Sequence, residues 1–294
     1  MSWDYSKLII NLAPTGIIPT KADNPYLPVT PEEIAEDCVR CYNAGVSIVH
    51  LHARDKNGAP TYRKEVYSDI IRRIRSRCSD LIICVSTSGR VYRSFEQRSQ
   101  VLELTDALKP DMASLTLGST NFSRDVSVNT PDIIQALAFR MHERGIVPEL
   151  EIFDTKMLDY GKRLIDKGVL QKPFYFNLFL DTLGSMKVAS LRLASMVNAL
   201  PQNAVWSAAG IGRCQLMANA VAIAMGGHVR VGLEDNLYLD VRKERLASNL
   251  KLVERLVGIA RAMGREVASP MEARRLIGLP ETVPLISLEE KKTG

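Results

Sequence analysis

The sequence predicts an α/β protein built as a (β/α)8 (TIM) barrel. Short runs rich in β-branched residues alternate with amphipathic helical patterns along the chain of 294 residues. Eight of each fit into the roughly 250 residues that such a barrel needs. The competing architecture is a doubly wound open sheet, which would place a Gly-rich dinucleotide turn after the first strand. The turn at 14–19 (PTGIIP) lacks that pattern, so the barrel is favoured.

The predicted strands and helices follow one another in strict alternation. Strands are expected at 7–13, 47–52, 81–87, 112–117, 147–153, 174–180, 204–209 and 229–234. Helices are expected near 31–44, 64–78, 94–106, 131–143, 155–168, 188–199, 213–225 and 243–263. In a barrel enzyme the working residues lie at the carboxyl ends of the strands and in the loops beyond them.

Local signals agree with these helices. The segment 30–33 (TPEE) has an N-cap threonine, a proline at the first helical position and a glutamate three residues after the cap, which is a capping box. The segment 130–132 (TPD) repeats the threonine and the proline. Glycines follow three helical patterns, where a left-handed C-cap residue is expected, at Gly45, Gly145 and Gly168.

No internal linker or low-complexity stretch divides the chain, so we expect a single domain over residues 1–294. The segment from about 270 to 294 contains three prolines and ends in charged residues. It predicts a short helix followed by an arm, a C-terminal extension that could wrap a neighbouring subunit.

The composition is that of an ordinary globular enzyme, with 46% hydrophobic and 24% charged residues. The net charge of +5 comes from scattered basic residues, which argues against a nucleic-acid partner. No signal peptide and no membrane-spanning run are visible, so we expect no membrane contact. Five cysteines without framework spacing indicate a reducing, cytoplasmic compartment, and the Cys38-x-x-Cys41 pair inside a predicted helix indicates packing.

The ends of the second and eighth predicted strands suggest a metal site. His50 and His52 are two residues apart on one strand, so their side chains share a face. A closed barrel would bring Glu234 from the eighth strand close to them. Two imidazoles and a carboxylate with an open fourth position form a typical catalytic zinc site, although another divalent metal would also fit. A hydrogen-bonded core histidine is the plain alternative.

Other polar residues lie at the same end of the predicted barrel. Arg230 and Asp235 stand beside the predicted metal ligand, and Asp235 could act as a general base. The turn that contains Gly210, Gly212 and Arg213 opens a helix, and its N–H groups could hold a phosphate. Further polar side chains are Ser86, Ser114, Thr116, Glu149 and Glu151. Ser114 and Thr116 are equally compatible with strand interior, and Glu149 with the barrel wall.

A series of segments recurs in a fixed order along the chain: 14–16 (PTG), 24–33 (NPYLPVTPEE), 44–54 (AGVSIVHLHAR), 86–89 (STSG), 109–115 (KPDMASL), 120–122 (TNF), 147–151 (VPELE), 209–213 (AGIGR) and 226–236 (GGHVRVGLEDN). In these segments and their order, the chain resembles the β-keto acid cleavage enzymes over residues of about 7 to 277.

The resemblance implies a homotetramer of (β/α)8 barrels that converts a 3-oxo acid and acetyl-CoA into acetoacetate and a new acyl-CoA. It implies zinc binding by His50, His52 and Glu234, and an Arg230–Asp235 dyad that deprotonates acetyl-CoA. It also implies substrate contacts from Ser86, Ser114, Thr116 and Glu151, with Glu149 left open for the last role.

The chain departs from the family in the loop after the sixth predicted strand, 181–186 (DTLGSM), where relatives often have a Gly/Pro-rich turn, and from the aminohexanoate-cleaving members at one further position. An acidic residue in their first loop can meet the ammonium group of the substrate, whereas this chain has Ile18 there, preceded by Ile17. A cationic tail would lose hydration without gaining a partner. We therefore expect Ile18 to contact an uncharged or apolar tail. The rival interpretations are a metal-dependent hydrolase of the amidohydrolase type and a non-catalytic metabolite-binding barrel.

Overall fold

Eight parallel strands close into a barrel in the computed structural model, which describes residues 6–122, 126–180 and 186–281, with the side chains of 186–189 left aside. The strands are β1 (Ile10–Leu12), β2 (Ile48–Leu51), β3 (Ile82–Val85), β4 (Met112–Thr116), β5 (Val147–Ile152), β6 (Tyr175–Leu180), β7 (Val205–Gly210) and β8 (His228–Val231). Each pairs with its sequence neighbour, and β1 closes the ring between β2 and β8. The predicted (β/α)8 barrel is confirmed.

Helices surround the barrel. They are α1 (Pro31–Asn43), α2 (Lys64–Arg75), α3 (Phe95–Ser99), α4 (Pro131–Glu143), α5 (Thr155–Asp166), α6 (Met186–Asn198), α7 (Gln215–Ala224), α8 (Asn249–Ala262) and α9 (Pro270–Ile277). The capping box at Thr30 forms as expected, whereas Thr130 caps α4 without a side-chain hydrogen bond. Gly45, Gly145 and Gly168 all have positive φ and end their helices.

Strands β1 and β8, which pair to close the barrel, are both shorter than predicted. The stretch before β1 pairs with the C-terminal region instead, because Leu8 forms a bridge to Val267. The eighth strand ends at Val231, three residues before the predicted end, because Gly232 turns the chain with φ +155. A Cβ at Gly232 would lie 2.0 Å from the carbonyl oxygen of Ala13, so only glycine fits here.

Two predicted helices are also shorter or broken. The helix expected near 94–106 is α3 followed by 3-10 turns at Gln100–Glu103 and Asp106–Leu108. The helix expected near 243–263 begins only at Asn249, where Ser248 caps it. Before it, the carboxylate of Asp240 accepts N–H bonds from Glu244 (3.2 Å) and Arg245 (2.8 Å) and forms a tight turn.

One hydrophobic core lies between the barrel and its helices, and a smaller one fills the amino-terminal end of the barrel. Helix α9 closes that end with Ala273 and Ile277. It is the short C-terminal helix expected from the sequence, while the rest of the expected arm, 282–294, lies outside the described residues. Cys38 and Cys41 are buried and unpaired in α1, as predicted. Within the described ranges, no helix is long and apolar enough to cross a membrane.

Candidate metal and catalytic site

Two buried histidines stand at the carboxyl end of β2. His50 is the third residue of that strand and His52 follows its last residue, so the strand alternation places both rings on one face. Their ring centroids are 5.3 Å apart. Burial lowers the pKa of His52, which favours the neutral imidazole that a metal ion needs.

Glu234 reaches the histidines from a turn rather than from a strand. The turn after Gly232 is held by a hydrogen bond from the Glu234 N–H to the Ala13 carbonyl oxygen (3.2 Å). The Glu234 carboxylate then lies 3.2 Å from Nε2 of His52. Gly16 packs against the same side chain, because a Cβ there would lie 2.6 Å from Glu234 Cγ. The sequence predicted Glu234 on the eighth strand, whereas it lies in the turn after β8 and still reaches the histidines.

The three side chains fit a divalent cation. Their ligand atoms all lie within 4.8 Å of one another, and they offer two imidazole nitrogens and a carboxylate. Oε2 of Glu234 is buried and has no hydrogen-bond partner among the described residues, as expected of an oxygen that awaits a ligand. The pKa of Glu234 would rise on burial, but His52 and Arg230 hold it well below its usual range.

Glu149 supports this site from inside the barrel. Its Oε2 lies 2.7 Å from Nδ1 of His50, which leaves Nε2 as the ring nitrogen available to a metal. Its Oε1 accepts hydrogen bonds from the amides of Asn11 (2.6 Å) and Asn177 (3.4 Å). Cys84 lies 3.4 Å from the same carboxylate. His50, Cys84 and Glu149 could also be grouped as ligands, but burial raises the pKa of the thiol well above its usual range, so they form a hydrogen-bonded support.

Arg230 lies at the centre of a ring of carboxylates. Its guanidinium contacts Asp235 through Nε (3.0 Å) and Nη2 (3.3 Å), and Glu234 through Nη2 (2.9 Å). Nη1 lies 3.5 Å from Glu151, and the group stacks 5.0 Å from the ring centroid of Phe179. Burial raises the pKa of Asp235 even though Arg230 opposes it, so this carboxylate is a stronger base than an exposed aspartate.

The remaining residues that were predicted to bind substrate lie in different surroundings. Thr116 donates a hydrogen bond to Glu151 (2.6 Å), beside Arg230. Ser86 lines a cavity that opens next to His52. The Ser114 hydroxyl accepts the N–H of Thr87 (3.1 Å), so it also holds the end of β3 against β4.

The residue of the first loop that lines this cavity differs from the one that the sequence predicted. Ile17 lines it, whereas Ile18 has 41% of its surface exposed and is not among its lining residues. The cavity wall also includes Tyr62, Tyr92 and the buried Arg98, none of which the sequence singled out. They come from loops after β2 and β3 and from α3, and no pattern in the sequence marks them as neighbours.

The predicted phosphate turn follows β7. The N–H of Gly212 donates to the carbonyl oxygen of Asp235 (2.7 Å), so this N–H is already used within the protein. Gly210 must be glycine because a Cβ there would lie 2.5 Å from Gln215 backbone atoms. Arg213 is exposed. The turn after β6 that also departs from the family, 181–186, falls on residues 181–185 outside the described part.

Comparison with known proteins identifies the family of this chain. Residues 7–279 match the family described as beta-keto acid cleavage enzyme. The 3-keto-5-aminohexanoate cleavage enzyme of Fusobacterium nucleatum is 44% identical over 93% of this chain and 98% of its own length. The 3-oxoadipate:acetyl-CoA acetyltransferase of Cupriavidus necator is 36% identical over 92% and 95%.

Among solved structures, that of apo ObcA superposes with a TM-score of 0.76 at 23% identity, covering 87% of this chain and 66% of that one, and supports the fold alone. The histidine pair, the Arg230–Asp235 pair and the family match over most of the chain lead to one conclusion: this chain belongs to the beta-keto acid cleavage enzyme family.

Proposed function

We propose that the protein is a zinc-dependent acyltransferase that converts a 3-oxo acid and acetyl-CoA into acetoacetate and a new acyl-CoA. The observation that carries this proposal is the convergence of His50, His52 and Glu234 with the Arg230–Asp235 pair in one buried cluster. The relative from Cupriavidus necator, named as an acetyl-CoA acetyltransferase acting on 3-oxoadipate, supports the reaction class. A zinc ion bound by the three ligands would act as a Lewis acid on the ketone.

The products determine which carbon must lose a proton. Acetoacetate joins the acetyl group to the methylene and carboxylate carbons of the 3-oxo acid. The new carbon–carbon bond therefore forms between the acetyl carbonyl carbon and that methylene carbon. The resemblance implied that acetyl-CoA loses the proton. Atom balance requires instead that the 3-oxo acid loses it.

Asp235 is the base in this scheme. It takes the methylene proton, and the resulting enolate carbon attacks the thioester as the carbon–sulfur bond breaks and CoA thiolate leaves. The thiolate then attacks the original ketone carbon, and the bond from that carbon to the former methylene carbon breaks. The proton held by Asp235 returns to acetoacetate. Arg230 orients Asp235 through two hydrogen bonds.

The substrate contacts are assigned by position. Ser86 lines the cavity beside His52, Thr116 donates a hydrogen bond to Glu151, and Ser114 accepts the N–H of Thr87, the residue after Ser86. Glu151 lies next to Arg230. For acetyl-CoA, the exposed Arg213 is the one member of the 210–213 turn with a side chain that can meet a phosphate.

We propose that the substrate tail is uncharged. Ile17 lies beside His52, and the described residues that line the cavity include no carboxylate to pair with an ammonium group. This differs from the activity named for the relative from Fusobacterium nucleatum.

The test is a screen of 3-oxo acids with acetyl-CoA, read by the mass of the acyl-CoA formed. Neutral 3-oxo acids should give acyl-CoA and acetoacetate in equal amounts, and zinc analysis should give one ion per chain. A clear kinetic preference for 3-keto-5-aminohexanoate would contradict the tail assignment. Metal-loaded protein that only hydrolyses esters or amides, or that turns over no 3-oxo acid, would contradict the reaction.

The oligomeric state is the last part of this proposal. We propose a cytoplasmic homotetramer of single-domain chains, each a barrel with a short C-terminal extension, and light scattering of the purified protein checks the stoichiometry.

A further inference from the structure

We infer that Tyr62 and Tyr92 form the end wall of the substrate-tail pocket and limit the enzyme to 3-oxo acids with short, neutral tails. This inference rests on the proposed function, because it assigns a tail to the substrate of that site. The two tyrosines are specificity-determining residues: Tyr62 lies on the connection that follows His52, and Tyr92 lies on the loop after β3.

The wall is a fixed structure. The rings of Tyr62 and Tyr92 meet edge to face, with centroids 4.7 Å apart. The hydroxyl of Tyr92 donates a hydrogen bond of 2.7 Å to the carbonyl oxygen of Pro60. Pro60 belongs to the small hairpin formed by Ala53–Arg54 and Pro60–Thr61, which leaves β2 directly after His52. The chain that carries a predicted metal ligand therefore also carries the wall.

That hairpin is anchored to the first loop. Arg54 donates hydrogen bonds to carbonyl oxygens of Gly16 (3.1 Å), Pro19 (2.8 Å) and Gly58 (3.1 Å). Ile17 lies between two of these anchored carbonyls and lines the same cavity. The cavity is thus bounded by Ile17 on the first loop and by the two aromatic rings, and both the first loop and Tyr92 are hydrogen-bonded to the hairpin.

The wall offers no partner for a cationic tail. Among the described residues that line the cavity, the permanently charged side chain is that of Arg98. Its guanidinium donates to the carbonyl oxygens of Thr87 (2.7 Å) and Val128 (3.2 Å) and to the side chain of Asn129 (2.6 Å). These neutral acceptors leave its positive charge in place, so an ammonium tail is repelled.

The cavity is also small. Its volume is about 30 Å³, and since one water molecule needs about 10 to 15 Å³ by this measure, it holds about two water-sized groups. A tail that continues past His52 and Ser86 into this cavity therefore meets the two rings after roughly two carbon-sized groups. An ethyl tail fits, whereas a pentyl tail must displace a tyrosine.

The experiment compares 3-oxopentanoate, 3-oxohexanoate and 3-oxooctanoate. For each acid, kcat/KM is measured with acetyl-CoA, and binding is measured separately by calorimetry without acetyl-CoA. Wild-type enzyme should favour 3-oxopentanoate over 3-oxooctanoate by about tenfold or more, since one misfitting methylene costs about that factor. Tyr62→Ala should reduce this ratio by about tenfold, and Tyr92→Phe should raise KM for 3-oxopentanoate more than it lowers kcat.

Tyr26→Ala is the matched control, because Tyr26 is 60% exposed and lies outside this cavity, so the tail preference should stay at the wild-type ratio. A length preference that is the same in wild type, Tyr62→Ala and Tyr92→Phe would overturn the inference, as would a wild-type preference for 3-oxooctanoate or for a dicarboxylic 3-oxo acid. If short 3-oxo acids bind preferentially, this preference depends on Tyr62 and no acid is turned over, the proposed reaction is refuted but the role of the two tyrosines in tail selection is supported.

Discussion

Charge is unevenly distributed around Arg230. Four carboxylates are gathered near one guanidinium, from Glu149, Glu151, Glu234 and Asp235. Burial raises the pKa of Glu151, and the charge of Glu149 adds to this, although His50 and Arg230 oppose it. A divalent cation held by His50, His52 and Glu234 would supply the missing positive charge, which gives the proposed metal an electrostatic reason as well as a geometric one.

Two substitutions should separate the metal from the base. His52→Ala removes a proposed ligand, so metal content and turnover should be lost together. Asp235→Asn keeps the shape and the metal but removes the base, so kcat should fall about 100- to 10,000-fold. Metal analysis by mass spectrometry beside steady-state kinetics is the measurement. Loss of metal in Asp235→Asn would mean that Asp235 is a ligand.

Glu149 should act on the metal through His50. Glu149→Gln weakens the 2.7 Å contact to Nδ1, so zinc affinity should fall about 10- to 100-fold. Competition with a fluorescent chelator measures this affinity without any need for turnover. Glu151→Gln is the matched comparison, because Glu151 contacts Thr116 and Arg230, and its zinc affinity should stay near that of wild type. Equal losses of zinc affinity in the two variants would show that Glu149 does not position His50 for the metal.

At the scale of secondary structure, alternation and caps were sufficient to predict the barrel. Eight strand runs and the Thr30 capping box are local signals, and the structure confirms them. What the sequence could not predict depends on contacts distant in the chain. Strand β8 ends at Val231 because Ala13 approaches Gly232 closely. Ile17 rather than Ile18 lines the cavity in a first loop that Arg54 anchors by hydrogen bonds. The edge-to-face meeting of Tyr62 and Tyr92 is of the same kind.

A single carboxylate joins three elements at the amino-terminal end of the barrel. Asp111, just before β4, pairs with Arg75 at the end of α2 (3.2 Å) and with Arg274 in α9 (2.9 Å). It also accepts the N–H of Ile83 at 2.9 Å. Because both arginine side chains are almost fully buried, Asp111 is the counter-charge that allows α9 to close the barrel.

Asp111→Asn should therefore lower the free energy of unfolding by about 3 kcal/mol, since it leaves two guanidinium groups buried without a counter-charge. Urea unfolding followed by circular dichroism is the measurement. Asp69→Asn on α2 breaks only a half-exposed pair with Arg73, so it should cost about 0.5 kcal/mol or less. Equal costs for the two variants would show that the pairs around Asp111 are not needed to hold α9.

At the scale of the whole molecule, the closure of the barrel depends on a neutral histidine. His228 begins β8, and its Nδ1 accepts the N–H of Ile9 next to β1 (3.1 Å). Burial, with the charge of Arg265 nearby, lowers its pKa to about 3. The two strands that close the ring are therefore joined through a side chain that must stay unprotonated.

The free energy of unfolding should therefore depend on pH through His228. Below its ordinary pKa of 6.5, this histidine takes up a proton in the unfolded chain but not in the folded one. Stability should consequently fall as the pH drops from about 6.5 toward 3, with a contribution of about 1.4 kcal/mol per pH unit from this one group. Urea unfolding at several pH values should show a shallower acid slope for His228→Asn, whose amide oxygen can still accept the Ile9 N–H. His142→Asn, at an exposed position of α4, is the matched control for replacing a histidine away from the barrel closure, and His50 and His52, present in both variants, cancel in the comparison. If His228→Asn and wild type lose stability in parallel on acidification, the barrel closure does not depend on a neutral His228.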